Sequence, residues 1–102
     1  MRESIYSIYL VRCRDGSLYT GIATDVERRL REHADSRKGA RYLRGKAPLT
    51  LVFQRQVGDR SLASKVEIQV KKLPKRDKSD LDVLAARVDD LLAGFEAANQ
   101  EP

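Results

Sequence analysis

Ile5 to Cys13, IYSIYLVRC, is dominated by β-branched, aromatic and aliphatic residues, and Leu18 to Ile22 repeats the character over a shorter run. Such density predicts two strands. Arg14-Asp15-Gly16 between them is a hairpin signal. Loop length decides the register. A two-residue Asp-Gly turn would put Tyr9 and Tyr19 on opposite faces of the ribbon. A three-residue loop, with Gly16 left-handed in a bulge, puts them on one face, with Tyr9 across from Gly21 and Val11 across from Tyr19. The bulged loop is the expectation, because a glycine opposite a phenol leaves room for the ring.

Further along, the apolar period lengthens. Thr24-Asp25-Val26-Glu27 fits a capping box and opens a first helix, with Thr24 as its cap. Leu49 to Val57 reads as a third strand, ended by Gly58-Asp59. Arg60 to Leu73 carries Leu62, Val66, Val70 and Leu73 on one stripe, a second helix that Pro74 interrupts. Leu81, Leu84, Val88, Leu91 and Phe95 recur at spacings of three and four, a third amphipathic helix. Between the first helix and the third strand, residues 36–48 have no sustained period and read as a basic loop with one helical turn around Tyr42. The expected fold is therefore α/β: a small three-stranded, mainly antiparallel sheet flanked by helices, in the order ββαβαα. Its expected organisation is a domain over residues 1–80, an acidic helix over 81–97 packed on it, and a frayed tail over 98–102.

The 102 residues suffice for one modest core. No apolar run approaches the ~20 residues of a membrane span, and the N-terminus reads as a strand and not as a signal peptide. A lone cysteine, Cys13, excludes an internal disulfide and a multi-cysteine metal site, with a reducing cytoplasmic setting as the default. Charge changes the picture more. The net is +5, but residues 1–78 hold 19 Lys or Arg against 9 Asp or Glu, whereas residues 79–102 hold one Arg against six acids. A basic body points to a polyanionic partner, nucleic acid first.

On a wheel with 100° per residue, Leu30, His33 and Arg29 all fall within about 60° of Val26, while Arg28, Arg31 and Glu32 point away. Arg29 and the only histidine thus flank the stripe that packs on the hairpin. Each has an ordinary role: a snorkelling cation for Arg29, a helix C-terminal cation for His33. Glu67 lies just off the apolar edge of the second helix, where most carboxylates are merely solvated.

The ordered set is less ordinary. Ser7-Ile8-Tyr9, then Tyr19-Thr20-Gly21, then Arg29, His33 and Glu67, resembles the GIY-YIG nuclease domain over roughly residues 3–80. GDRSLAS (Gly58 to Ser64) and KKLPKRDK (Lys71 to Lys78) look like its short single-domain bacterial members, the YhbQ-like group. Ser7 stands where the family has glycine and Thr20 where it has an aliphatic residue. The asparagine that many members carry after the glutamate is missing from Lys78 to Val83. The resemblance implies a metal-dependent endonuclease in which Glu67 binds one Mg²⁺ or Mn²⁺ and Arg29 clamps the phosphate. Tyr19 would be general base or water-positioner, with Tyr9 and His33 bonding around the water. Arg37, Lys38, Arg41, Arg44 and Lys46, with Lys71, Lys72, Lys75 and Arg76, would grip the backbone of nucleic acid, DNA before RNA, the protein being monomeric by default. A non-cleaving nucleic-acid-binding domain and an adaptor docking a partner through the acidic helix are the rival expectations.

Overall fold

The computed structural model describes residues 4–34, 45–46 and 48–100, without the side chains of Ala34, Asn99 and Gln100. Arg37, Lys38, Arg41, Arg44 and the expected turn around Tyr42 lie outside the described residues. The chain runs β1 (Tyr6–Arg12), β2 (Leu18–Ala23), α1 (Val26–Ala34), β3 (Thr50–Gly58), α2 (Arg60–Lys71), α3 (Lys75–Ser79) and α4 (Leu81–Gln100). The expected order holds, with a five-residue helix inserted after Pro74. β1 is the middle strand, antiparallel to both neighbours, in the order β2-β1-β3.

The three-residue loop is present. Cys13 N–H donates to the Ser17 carbonyl at 2.8 Å, Gly16 N–H donates to the Cys13 carbonyl at 2.9 Å, and Gly16 has φ 85°. That conformation needs glycine. It sets Tyr9 opposite Gly21 and Val11 opposite Tyr19. Asp15 clasps the loop, accepting from the Ser17 N–H at 3.0 Å and the Ser17 hydroxyl at 2.6 Å. Those bonds to Ser17, helped by Lys46, hold its carboxyl down at about 2.

Strand alternation divides the sheet into two cores. Ile8 and Leu10 join Val66, Val70, Leu84 and Val88 under α2 and α4, all of them fully buried. Tyr9, Val11, Cys13, Ala23 and Val26 form the other cluster, with Tyr19, Leu30 and Leu51 packed against it beside α1. A bulge where β1 meets β3, between Leu10 and Val11, shifts the pairing from Phe53 to Leu51.

The cap of the first helix differs from the expectation. Asp25, not Thr24, accepts from the Arg28 N–H at 3.0 Å, and its carbonyl takes the Arg29 N–H at 3.0 Å. A carboxylate is the stronger acceptor beside the positive helix end, so the helix starts one residue later. The capping box with Glu27 is not made. Asp59 caps α2 in the expected way, accepting from the Leu62 N–H at 2.9 Å. Among the described residues no helix is long and apolar enough to cross a membrane.

Helix α4 is part of the core and not an appendage. Leu84 and Val88 have no exposed surface, and Arg55 on β3 is ion-paired with Asp89. Leu84→Ala should therefore destabilise the whole domain by about 2–5 kcal/mol, read as a lower urea midpoint with an unchanged slope. A loss below about 1 kcal/mol would mean that α4 is only loosely attached.

Candidate active site

Four elements converge around the Tyr9 hydroxyl. Tyr9 stands on the middle strand with 1% of its surface exposed, its ring laid over the Gly21 backbone. A Cβ added at Gly21 would sit 2.5 Å from the Tyr9 oxygen and 2.6 Å from Cζ, closer than side chains tolerate. His33, from the last turn of α1, is 4% exposed and lies 2.8 Å by its Nε2 from the Tyr9 hydroxyl. Tyr19 meets the edge of the same imidazole, ring centres 5.5 Å apart at 76°. Both phenols and the imidazole thus occupy one face. Ser7 shares that face by strand parity, and Ile8 points into the opposite core.

Arg29 lies one helical turn before His33, its guanidinium beside the Tyr9 hydroxyl, with which it interacts by charge and hydrogen bonding. Its Nη1 donates to Glu32 Oε1 at 3.0 Å. Glu32 also approaches Arg28 at 3.6 Å. This corrects the expectation that Glu32 points away. The i,i+3 spacing brings the pair together once Arg29 bends toward the sheet, and that spacing was the available signal in the sequence. A cleft of about 230 Å³ opens beside the pair, lined by Tyr6, Thr24, Arg28, Arg29 and Glu32 among others.

Glu67 projects from the middle of α2, half-buried, and Lys71 approaches it at 3.7 Å. Its charge acts on both phenols. It is not a carboxylate facing bulk water alone.

Protonation follows from this arrangement. Burial first, then Tyr19, push Tyr9 up to about 12 against the pull of Arg29. Tyr9 is a neutral phenol at physiological pH. Burial also raises Tyr19, with Arg29 opposing and Glu67 assisting. The phenolate expected of a general base is thus disfavoured by this protein surrounding, because desolvation outweighs one partly exposed guanidinium. Burial lowers His33, with Arg29 adding to the effect and Glu32 opposing it. His33 is therefore neutral and no dipole-stabilised cation. Tyr9 and His33 are both neutral, and which of them donates in the bond between them follows the imidazole tautomer.

Of the expected backbone contacts, Lys71, Lys72, Lys75 and Arg76 are exposed on α2 and α3 or just between them. Lys46 is different: its Nζ lies 3.4 Å from Asp15, and its carbonyl accepts from the Arg14 N–H at 2.9 Å. It ties the end of the basic stretch to the hairpin loop.

No group of three or more His, Cys, Asp or Glu among the described residues surrounds a point where a metal ion would sit. Glu67 offers a hard oxygen donor whose charge acts on both phenols. Such a donor suits Mg²⁺, which keeps several waters and takes substrate phosphate to complete its octahedron.

A family model described as the GIY-YIG catalytic domain matches residues 5–80. The chain belongs to the GIY-YIG family. It is 53% identical over 89 residues to the UPF0213 protein YhbQ of Escherichia coli K12, covering 87% of this chain and 88% of that protein. Against the UPF0213 protein YhbQ of Salmonella arizonae the identity is 49%, with the same coverage. Among solved structures, the solution NMR structure of the UPF0213 protein BH0048 from Bacillus halodurans is 40% identical, with a TM-score of 0.49 over 78% of this chain and 84% of that one. GIY-YIG membership carries nuclease chemistry on nucleic acid in general.

In this GIY-YIG chain two outcomes are expected. Gly21→Ala should displace the Tyr9 ring and break its bond to His33, visible as altered imidazole chemical shifts, whereas Gly94→Ala, where an added Cβ meets nothing, should not. Unaltered imidazole shifts in Gly21→Ala would contradict the close approach. The second outcome concerns pH. The unfolded chain protonates His33 near 6.5, the folded chain only at lower pH. Below about 6.5 the unfolded state then binds more protons, and stability falls as pH drops. Above that pH this contribution is flat. Urea midpoints of wild type and His33→Gln between about pH 5 and 7 should show a shallower acid slope in the variant; equal slopes would refute the neutral imidazole.

Proposed function

We propose that this protein is a divalent-metal-dependent endonuclease hydrolysing phosphodiester bonds, which nicks DNA or cuts it at a structural feature, in repair or recombination. The observation that carries the reading is the meeting of two neutral phenols, a neutral buried imidazole and a guanidinium, with the carboxylate of Glu67 acting on both phenols.

Glu67 would hold Mg²⁺ or Mn²⁺, which would supply Lewis-acid stabilisation of phosphate charge. The chain's own residues do the rest. Arg29 offers a planar fork to a phosphate in the adjoining cleft, with Glu32 holding one edge. Tyr19, a neutral phenol, orients the attacking water by hydrogen bonding. The bond to His33 Nε2 holds the Tyr9 hydroxyl in place, where its oxygen can accept a hydrogen bond from the water. Lys71, Lys72, Lys75 and Arg76 add contacts to the backbone that carry no sequence information. One such centre cuts one strand per visit, which is why nicking is the expected product of a monomer.

The test is cleavage of supercoiled, branched and single-stranded DNA, and of matched RNA, with Mn²⁺. Glu67→Ala and Arg29→Ala should each lose about a hundredfold or more in rate, with affinity kept within about threefold in Glu67→Ala. Cutting that survives Glu67→Ala overturns the reading. Tight binding with no cutting by wild type would instead favour the non-cleaving domain of the same fold.

A further inference from the structure

A second cleft lies on the other side of the sheet. Its volume is about 140 Å³, and it sits where the end of β1 and the start of β2 meet the junction of α3 and α4. Arg12 and Lys78 line it, with Ser79 and the apolar residues Leu18, Val52 and Leu81. Alternation along β1 assigns Arg12 to the face of Ile8 and Leu10, opposite the phenols.

The charge in this cleft is uncompensated. Among the described residues no carboxylate is ion-paired with the side chain of Arg12 or Lys78. The acids nearest in sequence are engaged elsewhere. Asp77 faces Arg76 and Arg87, each at 3.8 Å. Asp80 caps α4, accepting from the Asp82 N–H at 3.1 Å and the Val83 N–H at 3.3 Å. Asp15 is held by Ser17 and Lys46. Arg12 is exposed and Lys78 half-buried, so the cleft presents both charges to an incoming anion. A guanidinium, an ammonium and a serine around a space of several water volumes, each of roughly 30 Å³, are side chains of the types that bind one tetrahedral phosphoryl group. Leu81, 49% exposed at the mouth, leaves the entrance open to a large ligand.

We propose that Arg12, Lys78 and Ser79 form a second phosphate-binding subsite that holds nucleic-acid backbone on the face opposite the phenols. This rests on the nuclease reading. Its consequence is a substrate class: a nucleic acid that fills both sites must turn around the end of the hairpin, as a branched or flapped molecule does and a straight duplex does not. Flapped DNA is then preferred over linear duplex.

Two measurements test this, using the full chain. In amide NMR, inorganic phosphate should shift Leu18, Ser79 and Leu81 in wild type and leave them in place in the Arg12→Gln/Lys78→Gln double variant. The rest of the variant's spectrum should remain that of the folded protein, and Arg12→Lys/Lys78→Arg should restore the shifts. This arm judges the subsite even if the protein cuts nothing. Fluorescence anisotropy with flapped and linear duplexes of equal length should then show about a tenfold wild-type preference for the flap, falling to about unity in the double variant. Phosphate that shifts none of the three amides overturns the subsite. Shifts with inorganic phosphate but an unchanged flap preference in the double variant, or no wild-type preference, overturn its assignment to nucleic-acid backbone.

Discussion

The hydrogen bond between the Tyr9 hydroxyl and His33 Nε2, 2.8 Å long and spanning 24 residues of sequence, holds the candidate active site together. It joins the middle strand to the last turn of α1, and it forms only because the phenol lies flat over a residue without a side chain. Gly21 is thus a steric requirement set by Tyr9, and Gly16 is the conformational requirement that brings Gly21 into register. The two glycines act at different levels, one on packing and one on backbone geometry.

Around that bond the protein keeps charge sparse. Two phenols and an imidazole stay neutral because they are desolvated, while the one guanidinium among them stays charged and pinned by Glu32. A neutral imidazole accepts a proton; an imidazolium would only repel the neighbouring cation. The arrangement leaves positive charge where a phosphate would enter, from the side of the adjoining cleft, and proton acceptors behind it. On the other face of the sheet, Arg12 of β1 and Lys78 of α3 line a second cleft. The acidic residues that could neutralise them cap helices or serve other partners.

The supporting fold was largely legible in the sequence because its signals are local. Alternation in IYSIYLVRC, the Arg-Asp-Gly loop and the apolar stripes of the helices each depend on residues close together along the chain. The small errors are local as well. Thr24 and Asp25 are both capping residues, and only the backbone path decides which one turns its oxygen to the helix. The five-residue helix after Pro74 is too short to leave a period. The apolar stripe of α4 was legible as well, and Leu84 and Val88 on it are fully buried in the core.

By itself the sequence determined the strands, the helices and their order, since residue type and spacing carry that information, while the five candidate site residues came from the resemblance to a known family. It also determined the shared face of Tyr9 and Tyr19, through one glycine in one loop. Only the tertiary structure decided the protonation states, because desolvation depends on what packs over a group and not on its neighbours in sequence. It likewise decided that Glu32 turns to Arg29 and that Lys46 is spent on Asp15. Side chains with several rotamers choose partners by distance in space, a quantity the linear chain does not contain.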